Sequence, residues 1–388
     1  MDKNRLLLYM TVFLIMGLSN SVIPVLPEMA ALWQGNGGVL ASSLLFSGYF
    51  IGALLTMLPF GMLSDRYEKR SLILIAITLT LVSGVVLLRS GNLYMLVLAR
   101  LVEGVACGAF FPVAYAVLSE YPQRNRYIGE FNFLLNAGLA VGVALAGYLA
   151  EWSIRGGILV FTLMAMVVLA AGISALRRED TGTGRTQIKP KKVRVDRRQD
   201  KMPSPGKIAG HFADRDFYRI WIISFLLFGI SGVLTAFYPE YSQDMLSKAA
   251  LGLSIAAMYV SAMAANIVVG RMDIHYNVLI RGGVVIAVGG ALLAIIYPLP
   301  GFALIGTGSG AAMIGLPVAV AHMRIPRGLA MGIFNTYTYA GMGLMPVIAG
   351  ILLAFSGFEI VFAVCAIVLL LSLFLRDRLE SESRELNN

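Results

Sequence analysis

Apolar runs of roughly 20 residues recur along nearly the whole chain. Nothing else in the sequence limits the fold so tightly, because about 20 helical residues at 1.5 Å each match a hydrocarbon core about 30 Å thick. Twelve such runs are predicted as spanning helices, at 6–27, 41–62, 71–89, 93–118, 127–150, 156–176, 217–239, 249–270, 278–297, 300–322, 328–353 and 357–376. The supply of charge agrees. Only 14% of the 388 residues are charged and 58% are hydrophobic, whereas a soluble domain carries about 25% charged residues. An all-α membrane protein follows. The first run continues to Pro27 without a small-residue cleavage site and is expected to stay as a helix rather than be removed as a signal.

The net charge of +9 would point to nucleic acid only if the basic residues shared one folded surface. Here they fall in loops, so no nucleic-acid partner is expected. With the N-terminus inside, the inside segments hold 27 of the 31 Lys and Arg, while the outside loops hold only Arg89, Arg155 and Lys248. Basic residues are retained on the cytoplasmic side, so this bias places both termini in the cytoplasm and requires an even number of helices. A multi-pass protein of the cell membrane, working as a monomer, is expected. Cys107 and Cys365 lie in the middle of apolar runs and behave as small hydrophobes. His211, His275 and His322 lack ligand spacing, so no disulfide, metal or cofactor is expected.

The stretch 177–219 differs in kind, being rich in Lys, Arg, Gly, Pro and Ser. It divides the chain into an N-terminal bundle (1–176), a basic cytoplasmic linker (177–216), a C-terminal bundle (217–376) and a short cytoplasmic tail (377–388). Either a bare linker or a patch for lipid headgroups would carry this composition. Phe217, Tyr218 and Trp221 are expected at the membrane interface, as aromatic belts are.

The two bundles overlay residue by residue. Gly17-Leu18-Ser19 followed by Pro27-Glu28 recurs as Gly229-Ile230-Ser231 followed by Pro239-Glu240. Gly129-Glu130-Phe131-Asn132 recurs as Gly332-Ile333-Phe334-Asn335, and Pro112-Val113-Ala114 as Pro317-Val318-Ala319. The offsets are 212, 203 and 205 residues, in the order of a duplicated six-helix unit. Two pseudo-symmetric six-helix bundles place a solute site between them near the mid-plane, exposed to alternate sides as they rock.

Between the second and third helices runs Gly61-Met62-Leu63-Ser64-Asp65-Arg66-Tyr67-Glu68-Lys69-Arg70. This loop resembles the signature of the major facilitator superfamily, a glycine followed by an Asp-Arg pair and then a basic pair. Gly61, Asp65, Arg66, Lys69 and Arg70 match, and Glu68 stands where the family usually has glycine. The resemblance covers essentially the whole chain. It implies a cytoplasmic gate at Gly61, Asp65, Arg66 and Arg70 that latches the halves together against the start of the eleventh helix. Ordinary positive-inside charge would equally explain Lys69 and Arg70. A glutamate at 68 is expected to weaken a turn that uses positive φ, which glycine permits.

In the fourth helix, Arg100 lies about seven residues inside the outer end. Burying it costs at least about 2.5–3.5 kcal/mol unless it is paired or hydrated. Glu103, one turn on, shares its face. The stretch Arg100-Leu101-Val102-Glu103-Gly104 resembles the family motif whose arginine is associated with proton transfer. Arg100 and Glu103 are therefore candidates for proton coupling, with a structural ion pair that snorkels outward as the alternative. Glu103 is the better proton carrier, since desolvation favours a neutral carboxylate while arginine stays charged. Cys107, Phe110 or Phe111, and Ala114 continue that face as a candidate cavity wall.

Gly138, Gly142 and Gly147 in the fifth helix look like the family's antiporter segment, although Val143 replaces its proline; close helix packing would serve as well. Asn20, Asn132, Asn136, Asn266, Asn335 and Tyr339 are the candidate cavity residues, with Tyr337, Phe237 and Tyr238 as further lining. Sparse cavity charge, aromatic lining and the resemblance to the drug-exporter branch lead to proton-coupled export of a small amphipathic organic solute. The alternative is metabolite uptake by symport or uniport. No His, Cys or Ser constellation that would make an enzyme is visible.

Overall fold

In hydrocarbon every backbone N–H and C=O must be bonded within the protein, which leaves helices as the structure for these runs. A computed structural model describes residues 3–31, 38–63, 67–180, 218–272, 274–321 and 327–375. Among them all twelve expected helices are present. They are α1 (Lys3–Ser21), α2 (Gly38–Leu63), α3 (Lys69–Arg89), α4 (Leu93–Ser119), α5 (Arg124–Leu149), α6 (Gly156–Asp180), α7 (Tyr218–Tyr241), α8 (Lys248–Val269), α9 (Tyr276–Ala294), α10 (Pro298–Ala321), α11 (Arg327–Leu353) and α12 (Phe358–Leu371). Eleven are long and apolar enough to cross a bilayer, and the helical stretch Phe358–Phe374 is shorter. The first span reaches Ala30 only by changing geometry. Pro24 and Pro27 lack the N–H that an α-helical ladder needs, and the chain passes through a 3-10 turn (Ile23–Val25) into a one-turn helix (Leu26–Ala30).

Three local expectations change. α6 continues to Asp180, into the stretch expected to be linker, while 181–217 and 376–388 lie outside the described residues. Trp221, expected at the interface, is 2% exposed and stacks on Tyr337 of α11 with ring centroids 5.6 Å apart. Glu68 has φ −63° and immediately precedes α3, so the turn needs no glycine and the substitution costs nothing there.

The duplication is physical as well as textual. α2 packs on α4 as α8 packs on α10, α1 on α5 as α7 on α11, and α3 on α6 as α9 on α12. Even the contact atoms correspond. A Cβ on Gly138 would strike the backbone of Phe13, and one on Gly341 that of Phe225; these repeat partners are 203 and 212 residues apart. The bundles then meet through α2 against α11 and α5 against α8.

Those seams are tight at the end away from the basic loops. A Cβ on Gly147 would meet Lys248 and Gly252 of α8, and one on Gly350 would lie 3.3 Å from the Ser43 hydroxyl. Toward the basic end, a cavity of about 490 Å³ lies between α1, α5 and α8, lined by Tyr9, Gly129, Glu130, Phe133, Leu134 and Ile267. Large apolar side chains such as Leu55, Val167 and Phe374 are exposed around the periphery, where lipid solvates them.

Within the N-terminal bundle α4 lies backbone to backbone on α2. A Cβ on Gly104 would strike the Tyr49 carbonyl and come within 2.8 Å of the Ala53 nitrogen, and backbone cannot yield as the tip of a side chain can. Gly104→Val is expected to destabilise the protein by about 1–3 kcal/mol, read as a lower midpoint of thermal unfolding in detergent. Gly91→Val, where the new group meets nothing within 4 Å, should leave that midpoint unchanged.

Candidate functional site

The site grows from Arg100 on α4. Its guanidinium is 2% exposed and its partner Glu103 is 0% exposed, with Arg100 Nη1 2.7 Å from Glu103 Oε2. The i,i+3 spacing that suggested the pair produces it. The pair does not snorkel. Arg100 Nε donates to the Leu45 carbonyl of α2 at 3.1 Å, and Nη1 donates to the Ser19 carbonyl of α1 at 3.3 Å. Its guanidinium also lies 5.1 Å from the centre of the Tyr49 ring. Ser83 of α3 donates to Glu103 Oε2 at 3.5 Å, while Glu103 Oε1 is buried with no hydrogen-bond partner among the described residues. Four helices therefore converge on one ion pair, and only its carboxylate can change protonation state.

One turn further along α4, Cys107 is fully buried, and Tyr49 of α2 and Tyr339 lie beside it. Tyr339 belongs to α11, so this polar cluster crosses from one bundle to the other. Phe50 sits beside it, 6.1 Å from the Tyr339 ring and 5.0 Å from that of Tyr49. A second crossing lies at Asn20, which is 5% exposed. Its amide donates to the Leu139 carbonyl of α5 at 3.1 Å, and Tyr259 of α8 lies beside it. Sequence inspection singled out Asn20 and Tyr339. It overlooked Tyr49, Ser83 and Tyr259, for which an isolated tyrosine or serine in an apolar run is no signal.

The remaining candidates scatter. Asn132 is exposed and its Oδ1 accepts from Tyr115 of α4 at 2.7 Å. Asn136 turns back onto its own helix, donating to the Asn132 carbonyl at 3.0 Å. Asn335, the repeat partner of Asn132, is half-buried at the matching depth of α11. Asn266 Oδ1 is buried with no hydrogen-bond partner among the described residues.

The expected cavity wall of Phe110, Phe111 and Ala114 is instead buried. Both phenylalanines pack against Phe131 of α5 at 6.0 and 5.8 Å. Phe237 and Tyr238 are likewise fully buried. Tyr238 donates to the Ala294 carbonyl at the end of α9 and packs on Phe302 at 4.9 Å, so neither lines a pocket. Of the expected gate, Asp65 and Arg66 lie outside the described residues, whereas Gly61 closes α2 and Arg70 opens α3. Lys69 pairs with Glu120 at the end of α4, within its own bundle. Gly138 and Gly142 pack on α1, and Gly147 packs on α8.

The ion pair makes a stability prediction. Arg100→Leu leaves Glu103 uncompensated in the interior and should cost about 3–5 kcal/mol. The double change Arg100→Leu/Glu103→Leu should lose distinctly less, as measured by thermal unfolding in detergent.

Comparison with known proteins adds three findings. The family model described as Major Facilitator Superfamily matches residues 8–324 and 220–387. The chain is 30% identical over 133 residues to the uncharacterized MFS-type transporter YwfA of Bacillus subtilis, covering 33% of this chain and 31% of that protein. It is 28% identical over 162 residues to the quinolone resistance protein NorA of Staphylococcus aureus, covering 40% of each. The matched stretch thus spans well under half the length of these curated relatives.

Among solved structures, the nucleoside transporter NupG superposes with a TM-score of 0.72 at 14% identity, over 95% of this chain and 98% of that one. A bacterial homologue of the human lysosomal transporter Spinster, in an inward-facing and unoccupied conformation, superposes with a TM-score of 0.67 at 13% identity, over 96% and 94%. Identities this low speak for the fold alone. A family model running the length of a duplicated twelve-helix bundle settles the class: this multi-pass membrane protein belongs to the major facilitator superfamily.

Proposed function

We propose that the protein exports a small, amphipathic organic solute in exchange for protons, by alternating access of a site between the two bundles. The carrying observation is the buried ion pair Arg100–Glu103, one turn from Cys107, which lies beside Tyr339 of the opposite bundle. A proton arriving on Glu103 cancels its charge and releases Arg100 from its carboxylate partner. The ion pair that changes abuts the polar cluster crossing the seam, so the proton and the rocking of the bundles act on the same groups.

Two further points support the direction and the cargo. The basic loops gather at one end, which the retention of basic residues makes cytoplasmic, and the cavity between α1, α5 and α8 lies toward that end, where a solute loading from within would enter. Near the mid-plane, aromatic rings such as Phe50, Tyr49 and Tyr339 outnumber charges, which suits a solute with an apolar body and few polar groups. The partial relative that is named for quinolone resistance is consistent with this cargo class.

The test is a proteoliposome assay with a fluorescent amphipathic solute and an imposed pH gradient. Wild-type protein should move the solute against its gradient only while the proton gradient lasts. Glu103→Gln should lose that dependence by at least about tenfold, yet retain downhill exchange of solute. Transport indifferent to the pH gradient, or unaltered coupling in Glu103→Gln, would sink the proton-coupled reading. Accumulation driven in the opposite direction would make the protein an importer.

A further inference from the structure

The repeated Pro-Glu segments have no part in the proposed transport chemistry, and their geometry gives them another. Glu28 lies on the one-turn helix that ends the first span, and its repeat partner Glu240 lies in the last turn of α7. Both ends face away from the basic loops. Each carboxylate reaches across the seam to the start of the second helix of the opposite bundle. Glu28 Oε1 is 2.6 Å from Lys248 Nζ, the first residue of α8. Glu240 Oε2 accepts from Ser42 in the first turns of α2 at 3.5 Å, and a Cβ on Gly38, the first residue of α2, would lie 3.8 Å from Glu240 Oε1.

We infer that Glu28 and Glu240 are a symmetry-related pair of latches that hold the bundles closed at the outer end, each placing a carboxylate at the N-terminus of a helix in the other half. The chemistry suits a contact that must break on every cycle. A helix N-terminus carries partial positive charge and favours a nearby carboxylate, by an amount that fades within about one turn. The contact therefore disappears when the helices part by a few ångströms. The Glu28 arm lies near enough to water to be re-solvated on opening, since the Glu28 and Lys248 side chains are 29% and 22% exposed, whereas Ser42 in the other arm is buried. The packing beneath is also separable, resting on Gly147 against Gly252 rather than on interlocked side chains.

The two arms are unequal. A charged lysine faces Glu28 at ion-pair distance, whereas Glu240 has only a long bond from a neutral hydroxyl, and two opposite charges attract more strongly than a charge and a hydroxyl dipole. The α1–α8 arm is the main latch and the α7–α2 arm the auxiliary one, so opening begins at α7–α2.

The test uses full-length protein in nanodiscs with nitroxide labels at Gly91→Cys and Phe355→Cys. Both positions are exposed at the outer end of opposite bundles, and the native Cys107 and Cys365 are buried. Inter-label distances report whether that end is open, without solute or proton gradient, so the outcome is independent of whether the protein exports anything. Glu28→Gln should raise the long-distance population roughly two- to fivefold, as expected for a part-exposed ion pair. Glu240→Gln should raise it less, and the double variant more than either. Exchanging the charges, Glu28→Lys with Lys248→Glu, should return the distribution toward wild type, which a merely misfolded variant would not do. An unchanged distribution in the double glutamine variant, or no recovery on charge exchange, would overturn the latch.

Discussion

Lipid offers helices no hydrophobic gain on associating, because hydrocarbon outside the protein is as apolar as the interior. Cohesion must come from close packing and from polar ties between helices, and everything described here depends on how those two are distributed. Glycine lets backbones approach where any Cβ would collide, as at Gly138 against Phe13, Gly341 against Phe225 and Gly104 against Tyr49. Inside each bundle such contacts are reinforced by buried donors spent on backbone carbonyls. Arg100 ties α4 to Leu45 and Ser19, and Tyr238 ties α7 to the end of α9. Between bundles, the Glu28–Lys248 tie at the outer end is part-exposed. That difference suits the proposed alternating access, in which six helices would move as a unit while the seam opens.

The Arg100–Glu103 pair sits at the boundary between these regimes. It is an internal strut, since it joins α1, α2, α3 and α4 and has almost no exposure. It is also within reach of the seam, through Cys107 and Tyr339. Buried ion pairs rarely repay their desolvation in stability, so a carboxylate kept here with one oxygen unpartnered carries a cost that a leucine would avoid. The proposed proton coupling would supply a reason for that cost.

Much of the fold was legible in the chain. Helix ends fell within a few residues of prediction because length, hydropathy and loop charge all report the same boundary. The duplication was legible because Gly138 and Gly341 still make equivalent contacts. The site was legible only where residues lie close in sequence: Arg100 and Glu103 are one turn apart, so their pairing follows from the helix itself. Phe237 and Tyr238 misled, because a helix that is apolar on every side gives no periodicity from which to read its rotation. They turned inward to Phe302, Phe358 and Phe362 rather than toward a cavity. Glu68 misled for a different reason: its backbone has φ −63°, and a resemblance to other sequences cannot report a dihedral angle.

The sequence by itself determined the number of helices, their duplication and the sidedness of charge. Those properties come from transfer free energies and short-range spacing, which need no partner to be expressed. Tertiary structure alone decided that Tyr49, Cys107 and Tyr339 come together, that Asn20 lies beside Tyr259, and that Glu28 and Glu240 each contact the opposite bundle. These residues lie tens to hundreds of positions apart. Which of them meet depends on the rotation and crossing of packed helices, and in a uniformly apolar helix those are set by the shape of the neighbours.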